Sequence, residues 1–229
     1  MADPTLKEDP VKRLLRLDCC AVSDAMDKLG LKGSVSGLEQ RATTQRIAGR
    51  IVTYKLVPAA EAPKTEGPPR HLGTTAIEAA QPGDIIVVEQ RTGIDAGSWG
   101  GILSLGAKVR GIAGVIADGP VRDIDEARAY DFPVYCRSLT ARTARSRVAE
   151  AFTNEPVALG AAPSLVTASR GDYAIADASG VVIIAAQDIE RVLDAAEMIA
   201  GREAAMARAL LAGTPISQVM GADYEHMLR

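Results

Sequence analysis

At 229 residues the chain is long enough to bury a sizeable core, as one large domain or two small ones. Hydrophobic residues at 47% and charged residues at 24% exclude a disordered or fibrous class. A net charge of -3 without a basic patch, and aromatics at only 3%, leave nucleic acid without its electrostatic footprint or its stacking platforms.

The polar start MADPTLKEDP is followed by no apolar run, so no signal peptide is expected, and no stretch reaches membrane-spanning length. Three cysteines, Cys19 and Cys20 adjacent, make neither a disulfide framework nor a zinc pattern, and a reducing cytoplasm is the expected setting. Val11 to Leu17 reads as a short helix and Ala21 to Leu29 as another, closed by Gly30. Ser23 and Asp24 in it read as capping or surface groups. Ile47 to Val57 alternates as a strand. The proline-rich stretch from Pro58 to Pro69 is a loop, a lid over substrate or a solvated excursion. Thr74 to Ala80 reads as helix, Gln81 to Asp84 as a turn, and Ile85 to Val88 as a strand.

The chain is organised around SWGGILSLGAKVRGIAGVIADGPVRD, Ser98 to Asp123. It reads as a glycine turn, a helix apolar at Ile102, Leu105 and Val109 with Leu103 and Gly106 beside them, a covered strand from Gly114 to Ala117, and a turn from Asp118 to Asp123. Amides of Gly100, Gly101, Ile102 and Leu103 then lie at a helix N-terminus, where unpaired N–H groups and the helix dipole attract an anion. Arg122 and Asp123 leave the C-terminal end of the strand, the edge of an open α/β sheet where ligands bind. Anion cradle, cation and metal-capable carboxylate together suggest an acid-binding, metal-assisted site. Taken alone, Arg122 and Asp123 read as a surface salt bridge or a cap for the helix after them; the glycine-rich helix start at the same strand end shifts the reading toward a site.

Ile124 to Tyr130 reads as a helix and Phe132 to Cys136 as a strand, while Arg137 to Val148 is polar with no motif. Pro156 to Leu159, Tyr173 to Ala176 and Val181 to Ile184 read as strands, the last two joined by a tight turn. A long helix from Asp188 to Leu211 is capped by Gly213. This order argues for a single α/β domain over 1–229 with layered sheets, N-terminal helices within 1–45 and a C-terminal helical segment over 187–229. In the last helix Glu203 falls within the stripe Ile189, Val192, Ala196, Ile199, Met206 and Leu210, and needs a partner or a metal. A salt bridge at a subunit contact is one reading and a contribution to a site the other; Glu197 lies near the edge and reads as solvated. Trp99 reads as core. His71 follows the proline-rich loop and borders the site, but neither it nor His226 has a nucleophile at triad spacing. No G-x-G-x-x-G opens a helix and no P-loop is present.

GILSLGAKVRGIAGVIADGPVRD, followed by GDYAIADASGVVII, resembles the RraA-like family over roughly Ala48 to Gly213. The resemblance implies a swivelling β/β/α fold and homotrimers or homohexamers with sites between subunits. It implies class II pyruvate aldolases, for 4-hydroxy-4-methyl-2-oxoglutarate or 4-carboxy-4-hydroxy-2-oxoadipate, or oxaloacetate decarboxylases. Their motif is an acidic residue, twenty residues, then Arg-Asp. Carried over by position, Asp123 is the ligand of Mg2+ or Mn2+ and Arg122 faces the pyruvate enolate. Ile102 and Leu103 give amides to the carboxylate of a small 2-oxo acid, and Glu203 or Glu197 of a neighbouring subunit orders water. The departure is Gly101, which stands where the motif has its acid; its loss shifts weight toward decarboxylation, which needs no base for a substrate alcohol. The family also holds a regulator that binds an RNA-degrading endonuclease. The intact Arg122-Asp123 argues against that role and Gly101 argues for it.

Overall fold

The computed structural model describes residues 8–63 and 70–221. Residues 64–69 of the proline-rich loop, and His226, lie outside them. Two helices, α1 (Pro10–Leu14) and α2 (Cys19–Lys28), lead into short strands β1 (Ser34–Val35) and β2 (Glu39–Gln40) and the long strand β3 (Ile47–Pro58). The Asp18 carboxylate caps α2 by accepting from the Ala21 amide at 2.8 Å, so Ser23 and Asp24 are not its cap.

Three alternations of helix and strand follow: α3 (Thr74–Ala79) to β4 (Ile85–Glu89), α4 (Gly101–Val109) to β5 (Gly114–Val121), and α5 (Ile124–Ala129) to β6 (Val134–Leu139). Strands β3, β4, β5 and β6 pair in parallel in that order. The chain continues through β7 (Val148–Thr153), β8 (Val157–Leu159), β9 (Val166–Ala168), β10 (Tyr173–Asp177), β11 (Gly180–Ile184) and α6 (Ile189–Leu211). The nine-stranded sheet has the order β1-β11-β10-β3-β4-β5-β6-β2, with β7 also on β3. Length lets β3 serve β10 and β7 as well as β4: its first residues pair with β10 and its last with β7, the latter pairing shifting register between Lys55 and Leu56.

Strand alternation sorts the core into layers. Ile86 and Val88 face one side with Val115, Ala117 and Val134, against Ala76, Leu103, Ala107 and Ala127 of the crossover helices. Ile85 and Val87 face the other side with Ile116 and Tyr135, and the separate β8–β9 pair covers them through Val157, Leu159 and Val166. Helices α1, α2 and α6 close the β10–β11 end over Tyr173, Ile175 and Val182. The architecture is a mixed α/β layering, as the sequence suggests.

Three expectations are corrected. First, the apolar spacing of Ile102, Leu105 and Val109 does not mark the inward face of α4; of the apolar set only Leu103 is buried. Gly101, Leu103, Ser104 and Ala107 are buried, whereas Ile102 is 76% and Val109 79% exposed and Leu105 is also outside. Both stripes have helical spacing, so periodicity does not choose between them; the small residues permit the closer approach to the sheet, and that face wins. Second, Asp118 to Val121 is strand and not turn. Asp118 is buried between Arg137, at 2.8 Å, and the Gly160 amide, at 2.7 Å, and a Cβ on Gly119 would stand 2.8 Å from the Gln90 carbonyl. The turn is therefore confined to Arg122 and Asp123. Third, Glu197 is held by the guanidinium of Arg13, with Nε to Oε1 at 2.9 Å and Nη2 to Oε2 at 2.8 Å. Glu203 lies on the exposed later part of α6, where the apolar stripe has outrun its packing partners.

The Arg13 hydrogen bonds hold the Glu197 carboxyl below its ordinary value of 4.5. A depressed carboxyl pKa adds stability that is complete above the unfolded value and is lost as pH falls through the folded one. The expected outcome is a steeper acid-side loss of stability, below about pH 4.5, in the native chain than in Arg13→Met. Urea midpoints measured between pH 3 and pH 7 check it; identical slopes would contradict it.

Candidate active site

The N-terminus of α4 is fixed by hydrogen bonds from the turn before it to the end of β5. The Ser98 amide and hydroxyl both donate to the Pro120 carbonyl, at 2.7 and 2.8 Å, and the Arg122 amide donates to the Trp99 carbonyl at 3.0 Å. Tyr54, wholly buried on β3, donates its hydroxyl to the Ser98 carbonyl at 2.5 Å. Burial, with Glu150 nearby, pushes the Tyr54 pKa well above 10.0, so it stays a donor. Trp99 is core, as expected: it stacks on Phe132 and its indole N–H donates to Ser104 Oγ at 2.9 Å.

Glycines let three side chains lie on this turn. A Cβ at Gly97 would stand 2.9 Å from Arg122 Cγ, one at Gly100 2.8 Å from Asp123 Oδ2, and one at Gly101 1.8 Å from Glu126 Oε2. Asp123 itself has a left-handed backbone, φ 55, a conformation that costs an L-residue about 1–2 kcal/mol. That backbone turns its carboxylate away from its own helix, which it does not cap, and toward α4. Asp123 Oδ2 accepts from the Gly101 amide at 3.3 Å, and both carboxylate oxygens lie 3.1 Å from Arg122 Nε. The amides of Ile102 and Leu103 belong to the first turn of α4 and have no acceptor within the helix.

These groups meet in a cavity of about 700 Å³ lined by Gly100, Gly101, Ile102, Leu103, Arg122 and Asp123. Every position in the predicted anion cradle and Arg-Asp turn is thus at one place, and His71 also borders it. Glu197 and Glu203 do not line it. Raised by partial burial and by Asp18 and Asp24, the Glu203 carboxyl belongs to the surroundings of α2. Sequence reasoning missed Arg70, Arg145 and Glu150 in the lining. Glu150 accepts from the Gly73 amide at 2.7 Å, which fixes the entry to α3. For Arg145 the one available signal was the density of Arg, Thr and Ser from 137 to 148; Arg70 and Glu150 lie outside it.

No group of three or more His, Cys, Asp or Glu side chains among the described residues is arranged to hold a metal. A single half-exposed carboxylate beside open space suits a hard cation that keeps most of its shell as water and substrate oxygen, as Mg2+ does.

A layered sheet with parallel strands at its centre, and first-turn helix amides beside an Arg-Asp turn at their C-terminal ends, defines a mixed α/β protein with a cavity at that edge. The chain belongs to the RraA-like family, whose Aldolase/RraA model matches residues 19–183. It is 24% identical over 225 residues to DlpA of Legionella pneumophila, covering 94% of this chain and 35% of that protein. It is 33% identical over 135 residues to a Halalkalibacterium halodurans protein named "Putative 4-hydroxy-4-methyl-2-oxoglutarate aldolase", covering 59% of this chain and 62% of that one. The chain thus spans less than two thirds of either relative. The fold matches Streptomyces coelicolor RraAS2, described as an unusual member of the RNase ES inhibitor RraA protein family. That TM-score is 0.71 at 25% identity, over 85% of this chain and 94% of the other. An uncharacterized protein from Pseudomonas syringae matches with a TM-score of 0.80 at 24% identity, over 93% and 96% of the two chains.

Tyr54→Phe should lower stability by about 1–3 kcal/mol, because the Ser98 carbonyl is left buried without this donor. Urea unfolding of both proteins checks it; equal stability would remove Tyr54 as the anchor of the turn.

Proposed function

We propose that this chain is a divalent-metal-dependent lyase that cleaves a C–C bond of a small 2-oxo acid, by retro-aldol reaction or β-decarboxylation, through a pyruvate enolate. The observation that carries this reading is the convergence of Arg122, Asp123 and the first-turn amides of α4 on one cavity. The family's inclusion of aldolases is consistent with it.

In this reading the amides of Ile102 and Leu103, with Gly100 and Gly101 giving close access, hold the carboxylate of the 2-oxo acid. Mg2+ or Mn2+ held by Asp123 would supply Lewis-acid polarisation of the 2-oxo group. Arg122 faces the same oxygen as negative charge develops there, a preorganised cation in a site that need not reorganise. Its stem rests on Gly97 and its Nε is tied to Asp123, so the guanidinium is oriented before substrate arrives. Arg70 and Arg145 stand at the cavity wall for a second acidic group of the substrate.

Self-association belongs to the same proposal. Ile102, Leu105 and Val109 form an exposed apolar stripe that begins at the cavity, which a trimer or hexamer would cover. Of the two glutamates considered for a cross-subunit role, Glu203 is the better candidate, since Glu197 is committed to Arg13 of its own chain.

Pyruvate release from oxaloacetate and from 4-carboxy-4-hydroxy-2-oxoadipate, with Mg2+ and with chelator, tests the reading. Metal-dependent release is expected, absent in Asp123→Ala and reduced about 10²–10³-fold in Arg122→Met. No release from either substrate, with no thermal stabilisation by oxalate and Mg2+, would sink the lyase and favour the endonuclease-binding role.

A further inference from the structure

Glu150 lines the cavity, yet both of its carboxylate oxygens are already engaged. Oε2 accepts from the Gly73 amide at 2.7 Å, and Oε1 accepts from the Thr153 hydroxyl. The cause is local to β7. Tyr54 pairs with Thr153 and Lys55 with Phe152, but Leu56 pairs with Glu150, so Ala151 is an extra residue in the ladder. Directly opposite residues share a face, so Thr153 and Glu150 lie on the face of Tyr54 and Leu56, which packs against α3. In an unbroken strand, residues three apart point to opposite faces. The bulge at Ala151 therefore brings Glu150 beside Thr153 and aims it at the start of α3.

What Glu150 holds there is the rim of the cavity. Gly73 precedes α3 with φ 76 and, having no side chain, gives that helix no cap. A Cβ on Gly73 would stand 3.3 Å from the Tyr54 hydroxyl and 3.4 Å from Leu103 Cδ1, so the rim lies close against the first turn of α4. Arg70 and His71 line the cavity just before it. Their own hydrogen bonds run back into α3: the Thr74 hydroxyl donates to the His71 carbonyl at 2.7 Å, and Arg70 reaches Glu78 at 3.3 Å. Among the described residues, the bond from Gly73 to Glu150 is the one that ties 70–73 to the sheet.

We propose that Glu150 is a positioning residue: through Gly73 it holds Arg70 and His71 at the wall that receives the far acidic group of the 2-oxo acid. This rests on the lyase reading and concerns recognition, not C–C cleavage. Arg145 lines the same cavity a few residues before Glu150, so one latch sets the spacing of the two basic walls. The first-turn amides of α4 and the Arg122-Asp123 turn are fixed separately, by Ser98, Pro120 and Tyr54. Loss of the latch should therefore weaken the grip on the far end of a substrate and spare the pyruvate end.

The test uses the full chain with Mg2+ and the variants Glu150→Ala and Glu150→Gln; the amide oxygen of glutamine can still accept from Gly73. In Glu150→Ala, KM for 4-carboxy-4-hydroxy-2-oxoadipate should rise about 3–10-fold while kcat stays within about twofold, the pattern of lost uniform binding. Affinity for oxalate, which mimics the pyruvate end alone, should change by less than about twofold. Glu150→Gln should recover most of the loss. Hydrogen exchange at the Gly73 amide reads the latch without turnover: about tenfold faster in Glu150→Ala and near native in Glu150→Gln. Native KM in Glu150→Ala, with Gly73 exchange accelerated, would overturn the recognition role. Equal loss in both variants would overturn the latch, because charge and not hydrogen-bond geometry would then be what acts. A native chain that releases no pyruvate from this substrate or from oxaloacetate would overturn the lyase reading and the recognition role with it, whereas Gly73 exchange would still decide the latch.

Discussion

The site depends on the junction between the turn at Gly97–Gly100 and the end of β5. Ser98 donates twice to the Pro120 carbonyl and Arg122 donates back to Trp99, while Tyr54 reaches across from the long central strand to the Ser98 carbonyl. Each such bond contributes only about 1 kcal/mol net to folding. Their structural consequence is larger, because they tie the first turn of α4 to the two residues that follow the strand. First-turn amides, guanidinium and carboxylate are then set by one local arrangement and not by the meeting of distant loops.

What surrounds the junction follows from it. Close contact between α4 and the turn requires the absence of side chains at 97, 100 and 101, and each glycine receives one side chain: Arg122, Asp123 or Glu126. The left-handed backbone of Asp123 is the bend that aims its carboxylate at α4. With its small-residue face drawn to the sheet by Ser104 and Ala107, α4 presents Ile102 and Val109 to the outside. One packing choice accounts for both the glycine floor and the exposed apolar stripe at the cavity rim.

Elements with long, unambiguous patterns were legible in the sequence. Strands β3, β4, β10 and β11 and the helix α6 lie where their periodicity places them, and the Arg-Asp turn meets the α4 start as strand-end reasoning expects. The inward face of α4 was not legible, because two apolar stripes compete on nine residues and steric approach, not hydrophobicity, decides between them. Asp-Gly-Pro reads as a turn, but burial of Asp118 on Arg137 and the tight contact of Gly119 with Gln90 keep it in the strand. Strand β9 is only three residues long, and β7 is paired at the far end of β3 with a break in register. Glu197 near the edge of α6 gives no hint of Arg13, a partner 184 residues away. Glu126 was hidden for the same reason, since its relation to Gly101 exists only in space.

The most direct measurement is a crystal structure of the chain with Mn2+ and oxalate, using the anomalous signal of the metal. The account predicts the metal on the Asp123 carboxylate, oxalate bridging it to the Ile102 and Leu103 amides, and the Arg122 guanidinium on an oxalate oxygen. Metal bound away from Asp123, or oxalate away from the α4 N-terminus, would contradict it.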